Sequence, residues 1–428
     1  MSRINQSVRF VISILLLLMA GSSSGQERVE SRSLTQNNTS ANDRFHGERN
    51  GNEPSGHVSK VPIRSLLYPG ATTQIFVRWM PWFGGGKHVD VGYNSDDPHE
   101  IRRQVDDMMS RGIDGVFIDW YGREDQFKDR ATERMLREAE TRGGRFKVAI
   151  SVDKSALKNC SDCTGELIEE MNYAASKYHS SPAYLHWNGR PVFFFFGLET
   201  ASLDWERVKR EAAGQPLLFF RNSGAFRLPY GDGAYSWIAP ESVKPGDPLG
   251  FQYLERFYQA ARGSDKIVVG SVYKGFDDSE ASWGKHRQIP QQCGTTWLDT
   301  FELVNRHFDS SHQLPMLLIP TWNDYEEGTE IETGIDNCLR IEAEVSGNRL
   351  RWKLSGSEQT VDHFDVFMAS SRDPDDRTRV ATLPRGKREL DLASLQLADG
   401  DYTFYVEAVG RPSMRNQLSS PVRYTSSR

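Results

Sequence analysis

The sequence predicts an α/β protein: a (β/α)8 TIM-like barrel followed by a small all-β sandwich. Eight apolar runs alternate with amphipathic helical patterns over roughly 275 residues, the usual size of such a barrel. No G-x-G-x-x-G follows the first run, which a dinucleotide-binding open sheet would carry. Beyond Cys338 the pattern changes to short alternating runs with no helix among them.

Taken in order, residues 1–25 read as a signal peptide. Arg3 and Arg9 precede the apolar stretch Phe10 to Ala20, and small residues follow from Gly21 to Gly25. The apolar stretch is too short for a stable membrane span. The chain is therefore expected to be secreted or periplasmic. Residues 26–60 are polar and nearly free of large apolar groups, the composition of a disordered linker. Asn37, Asn38 and Asn159 fit the glycosylation acceptor pattern.

Residues 61–337 are the predicted barrel. Its strands are Gln74 to Trp79, Gly115 to Asp119, Phe146 to Val152, Pro191 to Phe196, Leu217 to Phe220, Ala234 to Trp237, Lys266 to Val272 and Met316 to Pro320. Helices are expected over 98–111, 126–141, 165–178, 205–213, 250–262 and 296–307. In the first of these Asp97 caps, Pro98 opens the first turn, Glu100 completes a capping box and Gly112 ends the helix. No helical pattern separates the fifth and sixth strands or follows the eighth. Gly84-Gly85-Gly86 is a flexible loop and not a phosphate cradle, because the Walker-type Lys-Ser/Thr is absent. Residues 338–428 read as a fibronectin type III-like β-sandwich, a separate accessory module with Trp352 in its core.

The 428 residues are 11% aromatic and carry a formal net charge of −6, which argues against a nucleic-acid partner. Four cysteines, Cys160, Cys163, Cys293 and Cys338, suit structural disulfides in an exported protein. Three pairings are open. No metal or other cofactor is expected: zinc would need four ligands, and Asp277-Asp278 falls far short of a calcium cage. Oligomeric state is not legible.

The chemistry concentrates after the eighth strand, in Thr321 to Glu332, where five acidic side chains crowd into nine residues among Trp, Asn and Tyr. Paired carboxyls beside flat rings are what glycoside cleavage needs: one protonates the leaving oxygen, the other handles the nucleophile, and the rings hold the sugar. Barrel enzymes place such groups at the C-terminal strand ends. There stand Trp82; Asp119, Trp120 and Tyr121; Asp153; Trp237; Tyr273 and Asp277; then Trp322, Asn323, Asp324, Tyr325 and Glu327. All are candidate substrate contacts except Asp324 and Glu327, which are the candidate catalytic pair.

Thr321-Trp322-Asn323-Asp324-Tyr325 with Glu327 resembles the W-N-D-Y-x-E signature of the endo-1,3-α-glucanase (mutanase) family of glycoside hydrolases, family 71. The continuation Glu327-Gly328-Thr329-x-Ile331-Glu332 is similar instead to a segment of the endo-α-mannosidase family, family 99. Phe146 to Asp153, Ser181 to Val192 and Gly233 to Trp237 resemble the glucanase side; Gly112 to Val116 with Asp119 to Gly122 is closer to the mannosidases. The resemblance spans 74–336. It implies a barrel acting on α-linked glycans, α-1,3-glucan or α-mannan-like, with two carboxylates three residues apart. On this chain those are Asp324 and Glu327. The glucanase likeness implies inversion, the mannosidase one retention. Repulsion from Asp324, Glu326 and Asp119 is expected to keep Glu327 protonated as the general acid. Asp324, less crowded, would activate water or the sugar 2-hydroxyl. The rival expectation is a non-catalytic glycan-binding protein on the same barrel.

Overall fold

The computed structural model describes residues 57–427 apart from Asn159, Thr200, Ser371 and Arg372. The predicted signal peptide, almost all of the predicted linker and the three glycosylation candidates lie outside the described residues.

Eight parallel strands close into a barrel: β1 (Gln74–Trp79), β2 (Gly115–Trp120), β3 (Lys147–Asp153), β4 (Arg190–Phe196), β5 (Leu217–Arg221), β6 (Gly233–Tyr235), β7 (Ile267–Ser271) and β8 (Met316–Ile319). Each pairs with its sequence neighbours, and β8 pairs with β1 to complete the ring. Outside them run α1 (Pro98–Ser110), α2 (Gln126–Glu140), α3 (Cys163–Tyr178), α4 (Trp205–Glu211), α5 (Phe251–Arg262) and α6 (Thr295–His307). Four of these begin at an aspartate, Asp97, Asp125, Asp162 or Asp204, whose carboxylate accepts a first-turn backbone N–H. Asp162 thereby starts α3 two residues earlier than its apolar periodicity indicates. The capping box of α1 is only half formed, because Glu100 turns to Arg103 and Gln104. Only a 3-10 turn, Ser223–Arg227, links β5 to β6.

Strand alternation sorts the side chains into two sets. Inward, Phe76, Phe117, Phe194 and Phe219 form a packed layer with successive centroid distances of 4.6, 3.9 and 4.9 Å. Outward, Trp79 and Trp120 donate their indole N–H to Gln104 of α1 and Asp129 of α2. Among the described residues no helix is long and apolar enough to cross a membrane.

The C-terminal domain has a three-stranded sheet (Arg340–Ser346, Arg349–Ser355, Glu389–Asp391) and a second antiparallel sheet built on Val361–Ser370, Asp373–Pro384 and Gly400–Gly410, with Gln417–Leu418 and Val422–Ser426 on the last of these. Leu350, Trp352, Phe364, Val366 and Phe404 fill the core between them. The boundary with the barrel is not clean. Met414 is wholly buried in the barrel's own apolar core, and Trp297 of α6 donates to Pro412 O. His57 to Lys60, placed in the linker by composition, are ordered: Val58 bridges Arg415, Ser59 N–H bonds Met414 O, and Lys60 pairs with Asp107. The disulfides are Cys160–Cys163 and Cys293–Cys338, the latter tying the start of α6 to the junction.

Since Met414 plugs the barrel core, Met414→Ala is expected to cost ~2–5 kcal/mol and to lower the unfolding temperature of the barrel, not just that of the sandwich. Calorimetry resolves this; separate melting of the two domains in the wild type would contradict it.

Candidate active site

The segment after β8 folds back on itself. Thr321 N–H bonds Thr329 O, the two threonine hydroxyls lie 2.9 Å apart, and Thr329 N–H bonds Asp324 O. Gly328, at φ 58°, supplies the left-handed residue that closes the turn. Trp322 N–H bonds Arg78 O on β1, and Arg111, itself paired with Asp107, donates to Ile331 O and Glu332 O. The Asn323 amide clasps the backbone of Met80 in both directions. A strongly acidic loop is thus fixed to the barrel rim by its neighbours.

All five carboxyls of the loop are deeply or partly withdrawn from water, and three have a cation or a set of donors. Glu326 meets His88 Nδ1 at 2.7 Å and accepts from Val89 N–H. Glu330 meets Lys274 Nζ at 3.0 Å, with both side chains wholly buried. Glu332 pairs with Arg103 and accepts from the hydroxyls of Tyr93 and Tyr325. Asp324 and Glu327 have no ion-pair partner among the described residues. Asp324 Oδ1 instead accepts from the Glu327 backbone N–H at 3.0 Å. Burial, and then the charge of Glu327, push the Asp324 carboxyl well above the ordinary range. Burial raises Glu327 to about 7; Asp278 adds to the shift, and the guanidinium groups of Arg287, Arg78 and Arg221 oppose it. Asp324 is therefore not the less crowded acid that its sequence neighbourhood suggests. It is only 1% exposed, so loss of hydration outweighs any polar lining.

The other predicted contacts divide. Trp82 and Tyr121 pack edge to face at 6.3 Å, and the Tyr121 hydroxyl stands in the field of Asp153, Asp324 and Glu327, which with burial keeps it protonated. Asp119 points inward to an ion pair with Arg78. Asp153 caps Ser155 and acts on Tyr121 through space. Trp237 lies under the Arg78 guanidinium at 5.0 Å. The six others make packing or scaffold contacts. Trp120 and Trp322 are turned away from the mouth: Trp120 stacks on Tyr173 of α3, and Trp322 lies beneath Arg111 at 4.8 Å. Tyr273 bonds Leu249 O, Asn323 holds Met80, and the Tyr325 hydroxyl is committed to Glu332. Asp277 caps Ser279, and its N–H bonds Glu327 O, so it braces the loop through its backbone.

A family model for glycosyl hydrolase family 71 matches residues 90–337, more than half of the chain. The chain belongs to glycosyl hydrolase family 71. Two structures of the GH99 endo-alpha-mannosidase from Bacteroides thetaiotaomicron share 18% identity with this family 71 protein. They cover 61% of it and 87% and 88% of their own chains, with TM-scores of 0.49 and 0.48. A glycoside hydrolase-like protein shares 10% identity over 68% of this chain and 91% of its own, with a TM-score of 0.47. No curated protein matches the chain.

This glycoside hydrolase has site residues that its strand ends do not advertise. Arg78 is the lone charge in an otherwise apolar strand, which is the signal that could have found it. Its guanidinium, 4.4 Å from the Phe196 ring, bonds Ser151 and Asp119 in the layer above the phenylalanines. Arg221 sits over the same ring at 4.5 Å and pairs with Glu199. His88 reaches Glu326 because Gly84 and Gly86 take φ of 88° and 96°; a Cβ on Gly84 would lie 2.7 Å from Asn94.

The Lys274–Glu330 pair gives a stability test. Removing one partner leaves a buried charge, so Lys274→Met or Glu330→Gln alone should each cost ~3–5 kcal/mol, whereas Lys274→Met with Glu330→Leu should restore most of the loss. Guanidinium unfolding midpoints of the three variants check the expectation; additive losses would refute it.

Proposed function

We propose that this enzyme is exported and cleaves α-glycosidic bonds in a glycan, with Asp324 and Glu327 as its reacting carboxyls. α-1,3-Glucan is the favoured substrate, which the resemblance to the endo-1,3-α-glucanases implies, and an α-mannan-like glycan is the second. One observation supports the pair above the rest. Of five neighbouring acids, these two lack an ion-pair partner among the described residues; burial raises the proton affinity of both, and the charge of Glu327 adds to that of Asp324. Such a pair holds a proton near neutral pH, when ordinary carboxyls have lost theirs.

In the proposed mechanism Glu327, the more accessible of the two, donates its proton to the glycosidic oxygen. Arg287, Arg78 and Arg221 then stabilise the carboxylate left behind, since each favours its anion. Asp324 takes a proton from water or from the sugar 2-hydroxyl in the form of the pair in which the one shared proton sits on Glu327. The Tyr121 phenol stays neutral beside them and can donate a hydrogen bond to either. The β-domain, which we infer to be fibronectin type III-like, contributes no residue to this site.

Glu327→Gln should lower hydrolysis of α-1,3-glucan oligomers by ~10²–10⁴ with binding kept, and an activated aryl glycoside should regain part of the rate. Asp324→Asn should fall as far without that rescue. Near-wild-type release of reducing ends by either variant would remove the assignment, and a wild type that binds glycan without turnover would leave the binding-protein alternative.

The pH profile tests the acid's identity. Glu327 must hold its proton, so kcat/KM should fall as pH rises through about 7. Arg287→Gln removes the cation that most opposes the shift and leaves the Asp278 charge less compensated; both changes raise the pKa. The alkaline limb should therefore move to higher pH, and a shift to lower pH would contradict the model of the site.

A further inference from the structure

Trp283 is the only large apolar side chain among the described residues that stands well exposed, at 46%. It lies on the excursion between Phe276–Asp277 and Gln288–Ile289, two short strands paired antiparallel beyond the end of β7. This excursion is not loose. The buried Asp278 carboxylate accepts from the backbone N–H groups of Lys285 and Arg287 and pairs with the Arg287 guanidinium at 2.7 Å. Its base is fastened to the catalytic loop by the bond from Asp277 N–H to Glu327 O. Trp283 is thus held out in water by a braced support, at a cost that packing would ordinarily remove.

Its neighbours connect it to the reacting carboxyls. Trp82 stacks on His88 at 4.4 Å, and Trp283 meets both rings nearly perpendicularly, at 6.3 and 5.8 Å. On its other side Trp82 meets Tyr121, which stands in the field of Asp324 and Glu327. An aromatic wall therefore runs from the carboxyl pair through Tyr121 and Trp82 to an indole still open to solvent. Crossed contacts of this kind leave ring area free for a flat, C–H-rich partner. The wall leads from the carboxyls proposed to cleave a glycan.

We propose that Trp283 forms a distal subsite that stacks on a pyranose ring of the bound glycan, beyond the sugars flanking the cleaved bond. This inference rests on the assignment of the enzyme as an α-glycan hydrolase. The subsite makes catalysis depend on chain length: only substrates long enough to reach Trp283 gain from it.

The test is a ladder of α-1,3-linked glucose oligomers, dimer to hexamer, hydrolysed by the full chain. The measured quantity is the length gain, the ratio of kcat/KM for hexamer to that for dimer. Trp283→Ala should cut this gain about tenfold, chiefly through KM on the longer oligomers, and Trp283→Phe should restore most of it. An unchanged melting temperature confirms that the exposed substitution left the fold intact. A length gain equal to wild type, or a loss equal at every length, overturns the subsite while leaving the hydrolase assignment in place. Failure of the wild type to cleave or bind any member of the ladder overturns the α-1,3-glucan assignment together with the subsite built on it.

Discussion

Five carboxyls withdrawn from water within nine residues are the constraint around which this structure is arranged. A buried carboxylate is tolerated only with a counter-charge, a set of donors or a proton. The barrel supplies the first two from distant elements. Lys274 comes from the segment after β7, Arg103 from α1, and His88 from the glycine turn after β1. Each partner fixes one acid and, in doing so, ties its own element to the loop. What is left over is a pair with no cation, and that remainder is where proton chemistry becomes possible. The proposed reacting pair is thus marked by how its neighbours are neutralised as much as by its own residues.

The barrel interior repeats the theme in layers. Four phenylalanines fill the lower layer; above them Arg78 replaces the next apolar residue and is compensated by Asp119, Ser151 and two aromatic faces. One cation beneath a set of acids limits how far their proton affinity climbs, and Arg221 and Arg287 extend that effect around the rim. The site is poised between burial, which keeps protons on, and guanidinium groups, which let one leave.

Much of the scaffold was legible in the chain. Apolar runs located all eight strands to within a few residues, and Asp97 marked the start of the first helix. Placing residues at strand ends was less informative, because position along a strand does not state which way a side chain points. Asp119 and Trp120 are adjacent, and alternation sends one to the interior and the other to the helices. Contacts between remote segments, such as His88 with Glu326 or Met414 with the barrel core, carry no local signal at all. Trp283 was missed because a single tryptophan in a polar loop looks like any other until its neighbours are in view.

The seam formed by Val58, Ile335 and Met414 has a temporal meaning. Val58 precedes the first strand, Ile335 follows the last, and both are paired with residues 414 and 415 near the far end of the chain. During synthesis the eight strands emerge long before Met414 does, so the nascent barrel must wait with an apolar gap in its wall. Closing it joins residues more than 350 positions apart, among the least local contacts a chain of this length can make. The barrel core is therefore complete only once residues 414 and 415 are in place beside Ile335 and Val58.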